Sequence, residues 1–331
     1  MQPSIPTGAP AVKRNSIAAR LNALAGAGRP FAFAIPYAAD SLLVSGEDAG
    51  FLYSLPNGSN TPQQHCPLPQ HIAWDPEHVD RAAYHRAFST VQRHLLRGDS
   101  YLANLCMATP VRTNLGLEHI YHHARAPYKM MLRGQFACFS PEPFVTIGAN
   151  RISTFPMKGT LPGHLPLSRL MDDEKERREH ATIVDLLRND LALVGHDVRV
   201  DRYRYPERIT NHCGTLWATS SQISATLEPG WQHRLGDLLL RMLPAGSITG
   251  APKEWTCRAI AEAEPHPRGF YTGIFGCFDG ATLRSAVSIR FVQQAEPGRL
   301  LYHSGGGITL LSDEESEYRE LCDKIYVPFA L

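Results

Sequence analysis

Residues 269–311 run GFYTGIFGCFDGATLRSAVSIRFVQQAEPGRLLYHSGGGITLL and divide into three extended segments, 269–279, 283–293 and 299–311. A helix, SDEESEYRELCDKIY (312–326), follows almost at the C-terminus. In the middle segment Val287, Ile289 and Phe291 share one face of a strand and Ser288 and Arg290 the other, because strand side chains alternate. In the segment before it, Tyr271 and Gly273 alternate with Thr272 and Ile274. Working outward, FVTIGANRISTFPMKGT (144–160) reads as a hairpin turning near Gly148 and Asn150, and LLVSGEDAGFLYSL (42–55) as another around Gly46. Helices stand in separate runs. One ends at Gly98, a long one covers roughly 172–194, and more lie in RLGDLLLRMLPAGSITGAPKEWTCRAIAEAE (234–264). This order specifies an α+β chain with largely antiparallel sheets, not a doubly wound nucleotide fold.

Residues 1 to about 30 are rich in Pro, Gly and Ala and read as a loose, disordered lead-in. PNGSNTPQQHCPLPQ (56–70) is the best internal boundary. The organisation expected is an N-terminal subdomain over 1–75, with strands joining the same fold, and a catalytic region over 76–331.

The 331 residues carry 33 basic and 32 acidic side chains, a net charge of +1, so no global field draws the chain to nucleic acid or acidic lipid. An anionic ligand must be held by a local arrangement. Seven cysteines are scattered singly, which reads as reduced thiols and a cytoplasmic chain. No apolar run is long enough for a membrane span and no secretory signal is evident.

On the helix over 172–194, Ile183, Leu187, Leu191 and Val194 form one stripe; Glu176 falls on it and Glu179 flanks it. The last helix repeats the pattern, with Glu317, Glu320 and Lys324 around Leu321. Carboxylates on a core-facing stripe are costly unless paired or bound to a metal, and oxygen ligands from two elements suit a hard cation such as Mg²⁺. The alternative is a set of solvated helix-end charges answered by Arg177, Arg178 or Arg319. On the strands, Gly305, Gly306 and Gly307 with Arg290 would make an anion-binding floor, or else a glycine-rich turn beside a surface arginine. GSITGAPK (246–253) lacks the GK[ST] ending of a phosphate loop, so a Walker-type site is not expected.

Seven motifs in order, SPEPF (140–144), PMKGT (156–160), KERREHATIVDLLRNDL (175–191), PAGSITGAPK (244–253), RGFYTGIFG (268–276), SIR (288–290) and GGGITLLSDEESEYRELCDK (305–324), resemble the chorismate-utilising enzymes. The resemblance covers about 98–329 and implies two large, mostly antiparallel sheets packed together with helices outside. Lys158 is similar to the lysine of the aminodeoxychorismate synthase branch, where anthranilate synthases carry alanine. The chemistry so implied is addition of the lysine amine at C2 of chorismate with loss of the C4 hydroxyl, then attack of ammonia at C4. Glu142, at the family's general-acid position, would protonate the departing hydroxyl. Such an amine must be neutral, and burial beside a cation or an apolar wall is expected around it.

The resemblance further implies Mg²⁺ on Glu179 and Glu320, supported by Glu176 and Glu317. Tyr271, Arg290, Gly305, Gly306, Gly307 and Lys324 match the positions that hold the substrate carboxylates, and Gly159 and Thr160 line the same floor. Leu102 stands where isochorismate and salicylate synthases place a water-activating lysine. Ala218 aligns with the histidine of the family's HLVS segment, leaving His212 as the nearest substitute. Partners implied are a separate glutaminase subunit and a downstream aminodeoxychorismate lyase. Anthranilate synthase component I, isochorismate synthase and a catalytically silent chorismate-binding scaffold remain the alternatives.

Overall fold

The computed structural model describes residues 11–329 apart from 64, 212 and 213. Its strands, in chain order, are β1 (Phe31–Ile35), β2 (Leu43–Val44), β3 (Phe51–Leu55), β4 (Gly58–Ser59), β5 (Trp74–Pro76), β6 (Leu102–Thr113), β7 (Tyr128–Leu132), β8 (Phe136–Ser140) and β9 (Pro143–Gly148). There follow β10 (Arg151–Thr154), β11 (Met157–Pro162), β12 (His196–Asn211), β13 (Gly214–Thr226), β14 (Gly250–Ala251), β15 (Ile274–Phe278), β16 (Leu283–Val287), β17 (Phe291–Glu296) and β18 (Arg299–Ile308). The α-helices are α1 (Ala11–Gly26), α2 (Arg81–Leu96), α3 (Leu117–His123), α4 (Ser168–Met171), α5 (Glu174–Ala192), α6 (Leu235–Met242), α7 (Lys253–Ala263) and α8 (Glu314–Asp323).

Two nine-stranded antiparallel sheets result, as the α+β reading requires. One runs β11-β13-β10-β9-β16-β15-β1-β2, with β12 also on β13. The other runs β14-β6-β18-β17-β8-β7-β3-β4, with β5 also on β6. Between them lies an apolar layer to which both contribute: Ala32, Ala34, Phe275 and Ala286 from the first sheet, Phe51, Met130, Phe136 and Phe291 from the second. Helices cover the outer faces. Ile183, Leu187 and Leu191 of α5 and Leu239 of α6 pack on the first sheet. Val91 of α2 and Leu321 of α8 pack on the second.

Three departures from the sequence reading matter for the site. LRSAVSIRFVQ is not one strand. β16 ends at Val287, and the chain passes to the other sheet through Ser288, Ile289 and Arg290 before β17 begins. Arg290 has φ +54°, a left-handed conformation that a continuous strand does not contain. Tyr271–Gly273 likewise precede β15 as a turn, with Thr272 at φ +57°. LLVSGEDAGFLYSL is not a hairpin either, since β2 pairs with β1 in the first sheet and β3 with β7 in the second.

Residues 11–26, expected to be loose, form α1. Ile17, Ala18, Leu21 and Ala25 bury one side of it against α6 and Trp231. The signal was faint because small residues do much of the packing: a Cβ on Gly236 would overlap the Ala18 backbone. No helix among the described residues is long and apolar enough to cross a membrane. Leu21 is fully buried, so Leu21→Ala should lower stability by about 2–5 kcal/mol in urea titration; a loss below about 0.5 kcal/mol would show that α1 is not docked.

Candidate active site

Two of the chain's crossings between the sheets, at 140–143 and at 287–291, lie side by side. The two crossings are tied together: Val287 N–H donates to the Glu142 carbonyl at 3.1 Å and Phe139 N–H to the Arg290 carbonyl at 3.0 Å. The Tyr271 turn joins them, since Thr272 N–H donates to the Ser288 carbonyl and Ser288 N–H to the Gly273 carbonyl. A cavity of about 180 Å³ opens at this seam. Glu142, Lys158, Tyr271, Arg290, Gly305, Gly306, Gly307, Glu320 and Lys324 all line it, so most of the candidate residues meet in one place.

Glu142 sits between the sheets. Burial pushes its carboxyl above the usual glutamate range, against the opposing pull of a Ser247 hydrogen bond and of Lys158 and Lys324. An acid kept protonated in this way is equipped to give a proton to a leaving oxygen. Ser247 is carried by the loop 244–253, which is pinned by Lys253: its ammonium pairs with Asp190 of α5 at 2.6 Å and donates to the Met242 carbonyl at 2.7 Å. Lys253 is therefore a strut, not a phosphate ligand.

Lys158 is half-buried on β11, opposite Thr219 of β13, whose hydroxyl donates to the Lys158 carbonyl. The ladder slips between Lys158 and Thr160, and Gly159 takes φ +71° there. A side chain at Gly159 would strike the Glu176 carboxylate at 2.6 Å and Leu170 at 2.9 Å, which explains the glycine. Behind Lys158 the buried His180 hydrogen-bonds Ser221 at 2.7 Å and Thr219 at 3.3 Å, and burial holds its pKa down to about 4. Lys158 shares its cavity with the cationic Arg290 and Lys324 and with the apolar Pro156, Met157 and Ile183. The charged groups that feel it include Glu142, Glu176 and Glu320.

Arg290 donates to the Lys324 carbonyl at the C-terminus of α8 at 2.9 Å, and Lys324 Nζ donates to the Gly305 carbonyl at 2.7 Å while pairing with Glu320 at 2.7 Å. These three cationic and glycine positions thus hold α8 onto the β18 floor. A Cβ on Gly306 would lie 3.6 Å from Glu317 and 3.8 Å from Glu320 and Lys324. Gly305 is small for another reason, since a Cβ would strike Cys106 and Leu105 of β6. Thr160 is exposed and does not line the cavity.

Glu176 and Glu179 come from α5, Glu317 and Glu320 from α8. Burial and then the Glu179 charge raise Glu176; burial, with Glu320 and Glu179 adding, raises Glu317 even though Ser312 bonds it. Burial would also raise Glu320, but Lys324 pulls it below the ordinary range. Among the described residues no three acidic, histidine or cysteine side chains are gathered closely enough to hold an ion by themselves. The set nevertheless suits a hard cation that keeps waters and borrows a ligand from an anionic substrate: all donors are oxygens, and the two helices direct like charges at one another.

Leu102 reaches the Gly307 side of the floor without lining the cavity, and Ala218 is fully buried away from it. His212 lies outside the described residues. Sequence reasoning missed Ser247, Asn104 and His303, all of which line the cavity. Ser247 stands inside a quoted motif and His303 two residues before the glycines, so position was the available signal. His303 stacks near Tyr271, 5.1 Å between ring centroids, and hydrogen-bonds Gln293 at 3.2 Å.

The family model for chorismate binding enzymes matches residues 38–329. The chain belongs to that family, and it is a chorismate-utilising enzyme. It is 45% identical over 90% of its length to an uncharacterized PabA-like protein of Haemophilus influenzae, covering 92% of that protein. It is 33% identical over 86% of its length to aminodeoxychorismate synthase component 1 of Salmonella typhimurium, spanning 64% of that longer relative. Among solved structures, anthranilate synthase component I from Streptococcus pneumoniae matches with a TM-score of 0.64 at 24% identity, over 76% of this chain and 58% of that one, a likeness of fold.

Because ionising Glu142 costs more in the fold than in the unfolded chain, the enzyme loses stability as pH rises from the ordinary glutamate range through the raised folded value. Glu142→Gln removes that cost. Its melting temperature, measured relative to wild type by calorimetry, should climb as pH rises above the ordinary glutamate range; an offset independent of pH would contradict the raised acid.

Proposed function

We propose that this enzyme aminates chorismate at C4, giving 4-amino-4-deoxychorismate through a covalent adduct on Lys158. The observation that carries the reading is that Lys158 and Glu142 line one cavity with Arg290, Lys324 and the glycines of β18. That combination offers a nucleophile, an acid and an anion floor within a single small space. The Salmonella relative named for aminodeoxychorismate synthase supports it.

Chorismate enters with its carboxylates toward Arg290, Lys324 and the Gly305–Gly307 backbone. The neutral Lys158 amine forms a bond to C2, the ring double bond shifts, and the C4–O bond breaks. Glu142 gives its proton to the departing hydroxyl, which leaves as water. Ammonia then bonds to C4, the double bond shifts back, and Lys158 is expelled as a free amine. The new C4 ammonium returns one proton to Glu142. Chorismate and ammonia thereby become aminodeoxychorismate and water.

Mg²⁺, held by Glu179 and Glu320 with Glu176 and Glu317 beside them, would supply a divalent charge for a substrate carboxylate. Ammonia comes from a separate glutaminase subunit, and the product passes to a lyase that yields 4-aminobenzoate for folate synthesis in the cytoplasm.

Lys158→Ala should abolish aminodeoxychorismate formation or redirect the product to the C2-amino isomer, read by chromatography and mass spectrometry. Full C4 amination by that variant would exclude the covalent role, while fluorescent anthranilate from the wild type without a second enzyme would favour the anthranilate synthase alternative. Replacing Glu320 or Glu179 by Gln should raise the Mg²⁺ concentration for half-maximal rate by about tenfold or more. An unchanged Mg²⁺ requirement in both variants would remove these residues from the metal site.

A further inference from the structure

The chemistry set out above uses the charged side chains of the reactive cavity and the glycines of β18, and leaves one polar ring in its lining without a task. His303 stands on β18 just ahead of the glycines. Side chains alternate along a strand. Leu300, Tyr302 and Ile308 are buried on the side that faces the helices, so His303 shares the other side with Gly305 and Gly307. The two glycines project nothing into the cavity. His303 is therefore the side chain that borders the anion floor along this face, about 7 Å from Gly305 by the rise of an extended strand.

Three contacts fix the orientation of the imidazole. Its centroid lies 5.1 Å from that of Tyr271 with the planes at 37°, and 5.5 Å from that of Phe291 with the planes at 80°. Nε2 is 3.2 Å from Gln293 Oε1. Burial, with His266 adding, holds the ring pKa down to about 4, so the imidazole is neutral near neutral pH. A neutral ring carries one proton, and an amide oxygen can only accept, so the proton sits on Nε2 and Nδ1 is a bare acceptor. Among the described residues Nδ1 has no hydrogen-bond partner, and the protein does not seal it off.

We propose that His303 Nδ1 accepts the hydrogen of the C4 hydroxyl of chorismate and so orients the group that leaves, an inference that rests on the amination reading. Chorismate presents two carboxylates, an ether oxygen and a hydroxyl, and the hydroxyl is its single hydrogen-bond donor. Arg290, Lys324 and the glycine N–H groups are donors and suit the carboxylates. The hydroxyl needs an acceptor, and an uncharged one does not repel the dianion as a carboxylate would. With the ring carboxylate on the glycines, C4 lies across the ring, toward a side chain set further along the same face. Holding the hydroxyl hydrogen on Nδ1 leaves the oxygen lone pairs free for the proton of Glu142, which completes the departing water. Once ammonia has bonded, the C4 amine donates to the same nitrogen.

Two substitutions separate this role from packing. His303→Phe keeps a ring between Tyr271 and Phe291 and removes the acceptor. His303→Asn gives up the ring and keeps an acceptor, its amide oxygen, near the place of Nδ1. Calorimetry with Mg²⁺ and without ammonia measures the binding of an aromatic chorismate analogue, 3-(1-carboxyvinyloxy)benzoate, and of its 4-hydroxy derivative. The wild type should bind the hydroxylated analogue about tenfold more tightly. His303→Phe should bind the two equally and lose about tenfold in kcat/KM for chorismate, while His303→Asn keeps the preference. Equal binding by the wild type or a preference retained by His303→Phe would overturn the assignment. Loss of the preference from His303→Asn would overturn it too, since that is the result a packing role predicts. If the wild type makes no C4-aminated product from chorismate and ammonium chloride, the amination reading fails instead; the binding comparison contains no ammonia, so the two failures are told apart.

Discussion

The site depends on two strand crossings held side by side. A sheet buries its side chains on one face against another layer, so a chain that stays in one sheet has no reason to present reactive groups in the gap between two. Here residues 140–143 and 287–291 leave one sheet for the other along neighbouring paths, locked by the Glu142–Val287 and Phe139–Arg290 backbone bonds. The crossing places Glu142 between the layers, where burial raises its carboxyl, and twists Arg290 into a left-handed conformation that lets it line the cavity. The positions of the proposed acid and anion anchor therefore follow from one topological feature.

Around that seam the polar groups are supported from behind. Lys253 and Asp190 fix the loop that brings Ser247 to Glu142, and His180 with Thr219 and Ser221 braces the backbone of Lys158. These braces are buried and nearly fully bonded, whereas Glu176, Glu179 and Glu317 remain partly exposed and mutually repelling. Rigid support beneath an incompletely neutralised surface is the arrangement a site needs if a charged ligand is to be bound strongly without the fold collapsing onto it.

Much of this was legible from residues alone. The stripe of Ile183, Leu187 and Leu191 gave α5 its buried face, and the same periodicity put Glu176 on that face with Glu179 beside it. Lys158, Glu142 and the β18 glycines, singled out by their motifs, line one cavity. What sequence did not reveal was where the chain changes sheets. Alternation in AVSIRFV continues smoothly across Ser288–Arg290, because residues on both sides of the crossing are buried and a period of two carries no record of which partner strand comes next. The α1 helix was missed for a related reason: alanines bury little area, so their pattern hardly departs from that of a loop. The motifs brought Glu142, Glu176 and Glu320 to the site of Lys158, but not that all three would feel its charge directly.

The two ends of the site are also mechanically joined. Arg290 both lines the cavity and holds the Lys324 carbonyl at the end of α8, while the Lys324 ammonium bridges the Gly305 carbonyl and Glu320. An anion that draws on the Arg290 fork competes for the group that anchors α8, and α8 carries Glu317 and Glu320. A cation on those carboxylates would compete with Lys324 for Glu320. Each charge brought in thus changes the hold on the element that receives the other, which is a coupling between two ligands, and such coupling is reciprocal. The guanidinium and the ammonium that both sets of groups share would be its physical basis.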